Sequence, residues 1–172
     1  MSINSEIIFQ KIQLEHLDLV LRLFKSAAEK IAKKNVDHWQ YWKNPPQEKI
    51  NWVKAGIENE EFFFINDLRN QNIGMVRILN EDELYWGKQD VKATYIHSLV
   101  IKEEFNGKGM GETVLDEIEK NAKANGCVYL RLDAVTKNTK LCSYYENLGF
   151  LKVGTKKMPL SLNNLYQKKI ID

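Results

Sequence analysis

Three glycines alternate along Asn106-Gly107-Lys108-Gly109-Met110-Gly111, and they separate two stretches of different periodicity. Ahead of them, Thr94-Tyr95-Ile96-His97-Ser98-Leu99-Val100-Ile101 is rich in β-branched and aromatic residues and reads as a strand. Behind them, Met110, Val114, Leu115, Ile118 and Ala122 recur at helical spacing, with Asp116, Glu117, Glu119, Lys120 and Lys123 between. The order is strand, glycine turn, amphipathic helix. Glycines let the backbone turn tightly and leave no side chains over its amides. The first N–H groups of a helix have no partner within it, and the helix dipole adds positive potential there. Such a turn suits a phosphate group, and Lys108 adds a full charge nearby.

The spacing sorts the phosphate ligands. A Walker A loop needs GxxxxGK[ST], and no Lys-Ser or Lys-Thr pair follows these glycines. A dinucleotide fingerprint needs GxGxxG, which alternating glycines do not supply. The turn instead resembles the Q/R-x-x-G-x-G/A loop of the GNAT superfamily of N-acetyltransferases. Gly109 and Gly111 take its two small-residue positions, and Asn106 stands where that family usually has Gln or Arg. The departure removes a positive charge from the loop. A second stretch carries the same resemblance. Cys127-Val128-Tyr129-Leu130-Arg131-Leu132-Asp133-Ala134 reads as a strand, followed by a helical segment from about Asn138. Asn138, Tyr145, Gly149 and Phe150 then spell N-x6-Y-x3-G-F, similar to the second GNAT signature. Gly149 also suits the left-handed cap just past a helix.

The chain has 172 residues, of which 44% are hydrophobic, enough for one domain over 1–172 with a substantial core. A formal charge of +2, with lysines scattered among acids, argues against nucleic acid. The start lacks the pattern of a secretory signal, and no stretch approaches a membrane-spanning length. Cys127 and Cys142 form neither a CxxC motif nor a disulfide framework, so two free thiols in a reducing cytoplasm are expected. No metal site is expected.

A first strand is read at Ile7 to Ile12. A helix follows from about Glu15 to Lys33, on the stripe Leu17, Val20, Leu21, Phe24, Ala27, Ala28 and Ile31. The aromatic run around Trp39 and Trp42 has no clean period and closes at Pro45-Pro46. A short helix then carries Ile50, Val53 and Ile57, followed by strands at Phe62 to Ile65 and Ile73 to Leu79. Strands at Leu151 to Val153 and Leu165 to Ile171 complete the order β-α-α-β-β-β-α-β-α-β-β. It predicts an α/β fold, a mixed central β-sheet with helices on both faces. The crossover helix makes the strands at Thr94 and Cys127 a parallel pair. That the pair splays apart at one end is implied only by the GNAT resemblance.

The resemblance further implies acetyl-CoA as cofactor and an amine as acceptor. The turn amides from Gly107 to Glu112, with Asn106, Lys108, Gly109, Met110 and Gly111, would hold the pyrophosphate. The backbone of Leu99, Val100 and Ile101 would bond the pantetheine arm as an added strand does. Tyr145 matches the Tyr that protonates the departing thiolate, against a reading in which it merely packs. Asn138 bonds the cofactor arm or caps its helix, two readings left open. On a regular strand Tyr95, His97 and Leu99 share a face. His97 is therefore the candidate base, the alternative being a histidine that shapes the pocket or bonds Asp133 on the neighbouring strand. Tyr95 and Asp133 are counted with the acceptor site. Trp39 and Trp86, in irregular segments, are candidates for covering the acceptor or for packing on the core. The partners expected are a small-molecule or peptide amine and a second copy in a homodimer, with neither nucleic acid nor membrane. The function expected is acetyl transfer to a primary amine by direct attack. The alternative is a non-catalytic module of the same fold that binds an acyl-CoA as a sensor or partner subunit.

Overall fold

The computed structural model describes residues 7–172. The chain divides into two compact units, Met1–Arg77 with Ser98–Val114, and Ile78–His97 with Leu115–Asp172.

In the first unit, β1 (Ile8–Lys11) pairs antiparallel with β2 (Phe62–Asn66), and β2 with β3 (Asn72–Leu79). Between β1 and β2 lie α1 (Leu17–Ala32) and α2 (Gln47–Glu58). Of the predicted stripe of α1, Val20, Phe24 and Ala28 are buried, and Leu23, outside that stripe, is buried with them, against Val53 and Ile57 of α2 and Phe62, Phe64 and Met75 of the strands. Each large side chain buried this way contributes about 1.5–3 kcal/mol. The aromatic run that lacks periodicity becomes a short 3-10 turn, Gln40–Lys43, entered through Trp39 at φ 63°. It lays Trp42 flat on Phe24, with ring centroids 4.0 Å apart.

The second unit holds α3 (Glu83–Trp86), β5 (Tyr129–Val135), α5 (Thr139–Asn147), β6 (Leu151–Met158) and β7 (Ser161–Lys169). β5 pairs antiparallel with β7 from Tyr129↔Lys169 to Val135↔Asn163, and β7 with β6. β7 begins earlier than its apolar residues suggest, because Asn163 and Asn164 are buried within it. A hydrophobicity reading has no means of placing buried asparagines on a strand. β6 is an edge strand, with Leu151 and Val153 exposed beside Lys152, Lys156 and Lys157.

β4 (Ala93–Ile101) and α4 (Met110–Ala124) each have residues in both units. The seven strands of the mixed sheet follow the order β1-β2-β3-β4-β5-β7-β6. β4 and β5 are parallel, as the crossover helix requires, and their register comprises Ala93↔Tyr129, Thr94↔Leu130 and Tyr95↔Arg131. The ladder stops there, although both strands run on.

β4 does not keep the regular alternation of faces expected of it. Ser98 adopts φ 51°, a left-handed conformation in mid-strand. The alternation of faces needs extended backbone at each step, so the side shared by Tyr95 and His97 cannot be carried through to Leu99 and Ile101. Nearby, a Cβ at Gly74 of β3 would stand 1.9 Å from the Val100 carbonyl oxygen. Only glycine admits so close a backbone approach.

Candidate active site

The glycine turn is built in the first unit. A 3-10 turn at Glu103–Phe105 follows β4, and Gly107 and Gly109 then each take φ 70°. A Cβ at either would have nothing within 4 Å, so the space above the turn is open. Gly111, by contrast, already lies inside α4. Met110, Gly111 and Glu112 form its first turn, where backbone N–H groups lack helical acceptors. The Thr113 N–H and hydroxyl both donate to the Gly109 carbonyl, fixing the step from turn to helix. Lys108 lies over the Phe105 ring with its Nζ 5.6 Å from the centroid. Asn106 accepts a hydrogen bond from Lys30 Nζ of α1 at 2.6 Å. The charge missing at position 106 is thus supplied from a helix 76 residues earlier. Burial, then Lys34, lowers the Lys30 pKa, against the opposing pull of Glu103. Open positions over a helix N-terminus, two lysines and bare amides fit a pyrophosphate.

Leu99, Val100 and Ile101 occupy the last part of β4, past the left-handed step at Ser98, with Val100 buried. Trp39 packs edge-on against Phe24, centroids 5.6 Å apart, on the core of the first unit.

The second unit assembles a different kind of site. His97 Nε2 is 2.6 Å from Asp82 Oδ2, and Nδ1 is 3.3 Å from Asp133 Oδ1. Their side chains are only 16%, 6% and 11% exposed, in the order His97, Asp82, Asp133. Each carboxylate has a second anchor. Asp82 caps α3 by accepting from the Tyr85 N–H, and Asp133 accepts from Asn163 Nδ2 at 2.6 Å. The Tyr85 ring lies 5.0 Å from the imidazole. Burial raises the Asp133 pKa and the Asp82 charge adds to it, outweighing the opposite influence of His97 and Asn163.

Tyr95 and Trp86 gather around Arg131. Its guanidinium donates to the Tyr95 hydroxyl at 2.9 Å and to Gln167 Oε1 at 2.9 Å. It also lies 4.8 Å from the Trp86 ring centroid and 5.0 Å from that of Tyr129. Cation–π stacking and two hydrogen bonds offset the cost of burying this charge. The Trp86 Nε1–H is buried and has no hydrogen-bond partner among the described residues.

Tyr145 is 9% exposed and its neighbour Tyr144 38%, so the two tyrosines occupy different sides of α5. The Tyr145 ring packs near Phe150 and Tyr166, at 5.8 and 6.2 Å between centroids. Burial, and after it the charge of Asp133, pushes its phenol well above the ordinary tyrosine range. A phenol in that state stays protonated through neutral and mildly alkaline pH, as a proton donor must. Asn138 caps α5, its side chain accepting from the Leu141 N–H at 3.2 Å, and Gly149 takes φ 92° past the helix end.

The contact of His97 with Asp133 matches one of the alternatives expected for it, whereas Asp82, Asn163, Arg131 and Lys30 carry no site motif that marks them in the sequence. An aspartate three residues before Tyr85 carries a capping signal, and that signal alone could have pointed to Asp82.

The fold is of the α/β class, a mixed sheet with one parallel strand pair, and comparison gives it a family. The model of the acetyltransferase (GNAT) family matches residues 27–150, and the chain belongs to that family. The match takes in parts of both units. An acetyltransferase of the GNAT family from Listeria monocytogenes is 20% identical, with TM-score 0.75 and 98% of each chain covered. One from Streptococcus agalactiae is 19% identical with TM-score 0.76, covering 96% of this chain and 98% of that one. The PaiA N-acetyltransferase of Thermoplasma acidophilum, solved in complex with coenzyme A, is 20% identical. Its TM-score is 0.67, over 95% of this chain and 99% of that one. At these identities the neighbours speak for the fold. No curated protein matches the chain by sequence.

Proposed function

We propose that this acetyltransferase moves an acetyl group from acetyl-CoA to a primary amine of a small molecule or peptide, by direct attack. The observation that carries the reading is a half-buried histidine flanked by two carboxylates, one of which also acts on the Tyr145 phenol. An amine must lose a proton before it can attack, and a thiolate gains one as it leaves. His97 suits the first task and Tyr145 the second. Acetyl-CoA supplies the activated acetyl group. The turn from Asn106 to Glu112, with Lys108 and Lys30, would hold its phosphates, and the backbone of Leu99 to Ile101 its pantetheine arm. Asn138 assists there. Trp86, Tyr95 and Asp133 flank the acceptor, and Trp39 is a further candidate. The whole chain serves as one catalytic domain in the cytoplasm. Among the described residues no helix is long and apolar enough to cross a membrane.

Thiol release measured over a panel of primary amines and peptides tests the reading. Turnover with at least one amine is expected. Flat traces with every acceptor, despite tight coenzyme A binding, would make the chain a non-catalytic acyl-CoA-binding module.

A further inference from the structure

We propose that Asp82 is the positioning residue of the base: it fixes the tautomer of His97, so that Nδ1 and not Nε2 receives the acceptor's proton. The inference rests on the acetyltransferase reading and adds to it a residue that neither signature contains.

A neutral imidazole has one N–H and one lone pair, and the hydrogen bond made by one nitrogen decides where the other's lone pair lies. Asp82 Oδ2 is 2.6 Å from Nε2, so the proton of the neutral ring resides on Nε2. The lone pair is then on Nδ1, on the side where Asp133 Oδ1 stands 3.3 Å away. Asp82 is itself held fast. It is buried, and its other oxygen accepts from the Tyr85 N–H at the start of α3. A rotation of the ring that exchanged the nitrogens would have to break the shorter of the two contacts.

The step balances as follows. An N–H bond of the acceptor's ammonium breaks and an N–H bond forms at His97 Nδ1. The electron pair left on the amine nitrogen attacks the thioester carbonyl carbon. The imidazolium so formed lies between two carboxylates, those of Asp82 and Asp133. Three groups face His97 among the described residues: Asp82 ahead of α3, Tyr85 within it, and Asp133 from β5. Asn163 of β7 holds Asp133 from behind, and Arg131 of β5 is tied up by Tyr95 and Gln167.

Asp82→Asn is the informative variant. Asparagine caps a helix as well as aspartate does, so α3 keeps its start while the charge goes. The chain has three histidines, and His97→Gln assigns the ring resonances by subtraction. Nitrogen-15 NMR of the ring then reads the tautomer with no need for turnover. The parent's neutral ring is expected to carry its proton on Nε2, and Asp82→Asn to lose that preference. In parallel, kcat should fall by ~10²–10⁴ in Asp82→Asn, as for loss of general base catalysis. Asp82→Glu should recover part of the rate. A parent ring protonated on Nδ1, or a tautomer unchanged in the variant, would overturn the assignment. A variant with altered tautomer but parental kcat would overturn the role in catalysis. A parent that transfers to no amine, with the tautomer as assigned, would sink the acetyltransferase reading and leave the assignment of the ring standing.

Discussion

The glycine turn and the His97 cluster are built by opposite means. The turn works through backbone: Gly107 and Gly109 in left-handed conformations, open space above them, and the unpaired amides at the start of α4. All of these backbone parts lie within a few consecutive residues, most of them exposed, and only Lys30 comes from elsewhere in the chain. The cluster works through side chains. Asp82, His97 and Asp133 come from a loop and two strands and meet in a buried place, where each must find a partner. A site made of backbone depends on which residues lack side chains, so spacing encodes it. A site made of buried side chains depends on which segments the fold brings together, and no spacing records that.

The largest effect that could break this contrast is at Gly111. It lies in regular helix, so Gly111→Val introduces no left-handed strain, unlike a substitution at Gly109. If amides alone make the phosphate site, the added side chain abolishes measurable coenzyme A binding while the far-ultraviolet circular dichroism stays parental. Unchanged affinity by calorimetry would move the phosphates elsewhere.

Tyr145 sharpens the other side. Tyr145→Phe keeps the ring against Phe150 and Tyr166 and removes only the hydroxyl. A thiol leaving group with a pKa of roughly 8.5 is only moderately basic, so the loss in kcat should be at or below ~10²–10⁴. The acetyl-CoA KM should stay close to the parent's, and Tyr144→Phe should lower kcat much less. Steady-state kinetics on both variants decide it. Equal losses would place the acid elsewhere or in solvent.

The smallest effect is on stability. Burial holds the Asp133 pKa above its ordinary value, so the folded chain binds that proton more tightly than the unfolded one. Linkage then makes the carboxylate cost stability as pH rises from the ordinary aspartate value through the folded one, and the full cost remains at neutral pH. Asp133→Asn never ionises. Its melting temperature should exceed the parent's at neutral pH, by about 2–4 °C for each kcal/mol relieved. The gain should vanish as pH falls below the ordinary aspartate range. A variant less stable at pH 7 than at pH 4, relative to the parent, would reverse the sign and make Asp133 a net stabilising charge.

The legibility of the rest follows the same division. The stripe of α1, the crossover from β4 through α4 to β5, and the left-handed Gly149 were all readable, because periodicity and glycine carry them. The left-handed Ser98 was not, since serine gives no warning of a positive φ and the flanking residues read as plain strand. Lys30 was not, because its service to Asn106 depends on how α1 packs. Asn163 and Asn164 were hidden by a polarity that suggests a loop, although both are buried in β7. Arg131 read as one polar residue within an apolar strand, with nothing to announce its aromatic surroundings.

The edge strand β6 bears on how these molecules behave in company. An open edge flanked by exposed Leu151 and Val153 is a template on which a neighbouring chain could add a strand. Lys152, Lys156 and Lys157 along it act as gatekeepers, since a second copy would have to bring its own lysines alongside. Their protection is electrostatic, and it weakens as salt shortens the reach of charge. Concentrated solutions should therefore stay clear at low ionic strength and turn cloudy first when salt is raised or those amines are neutralised.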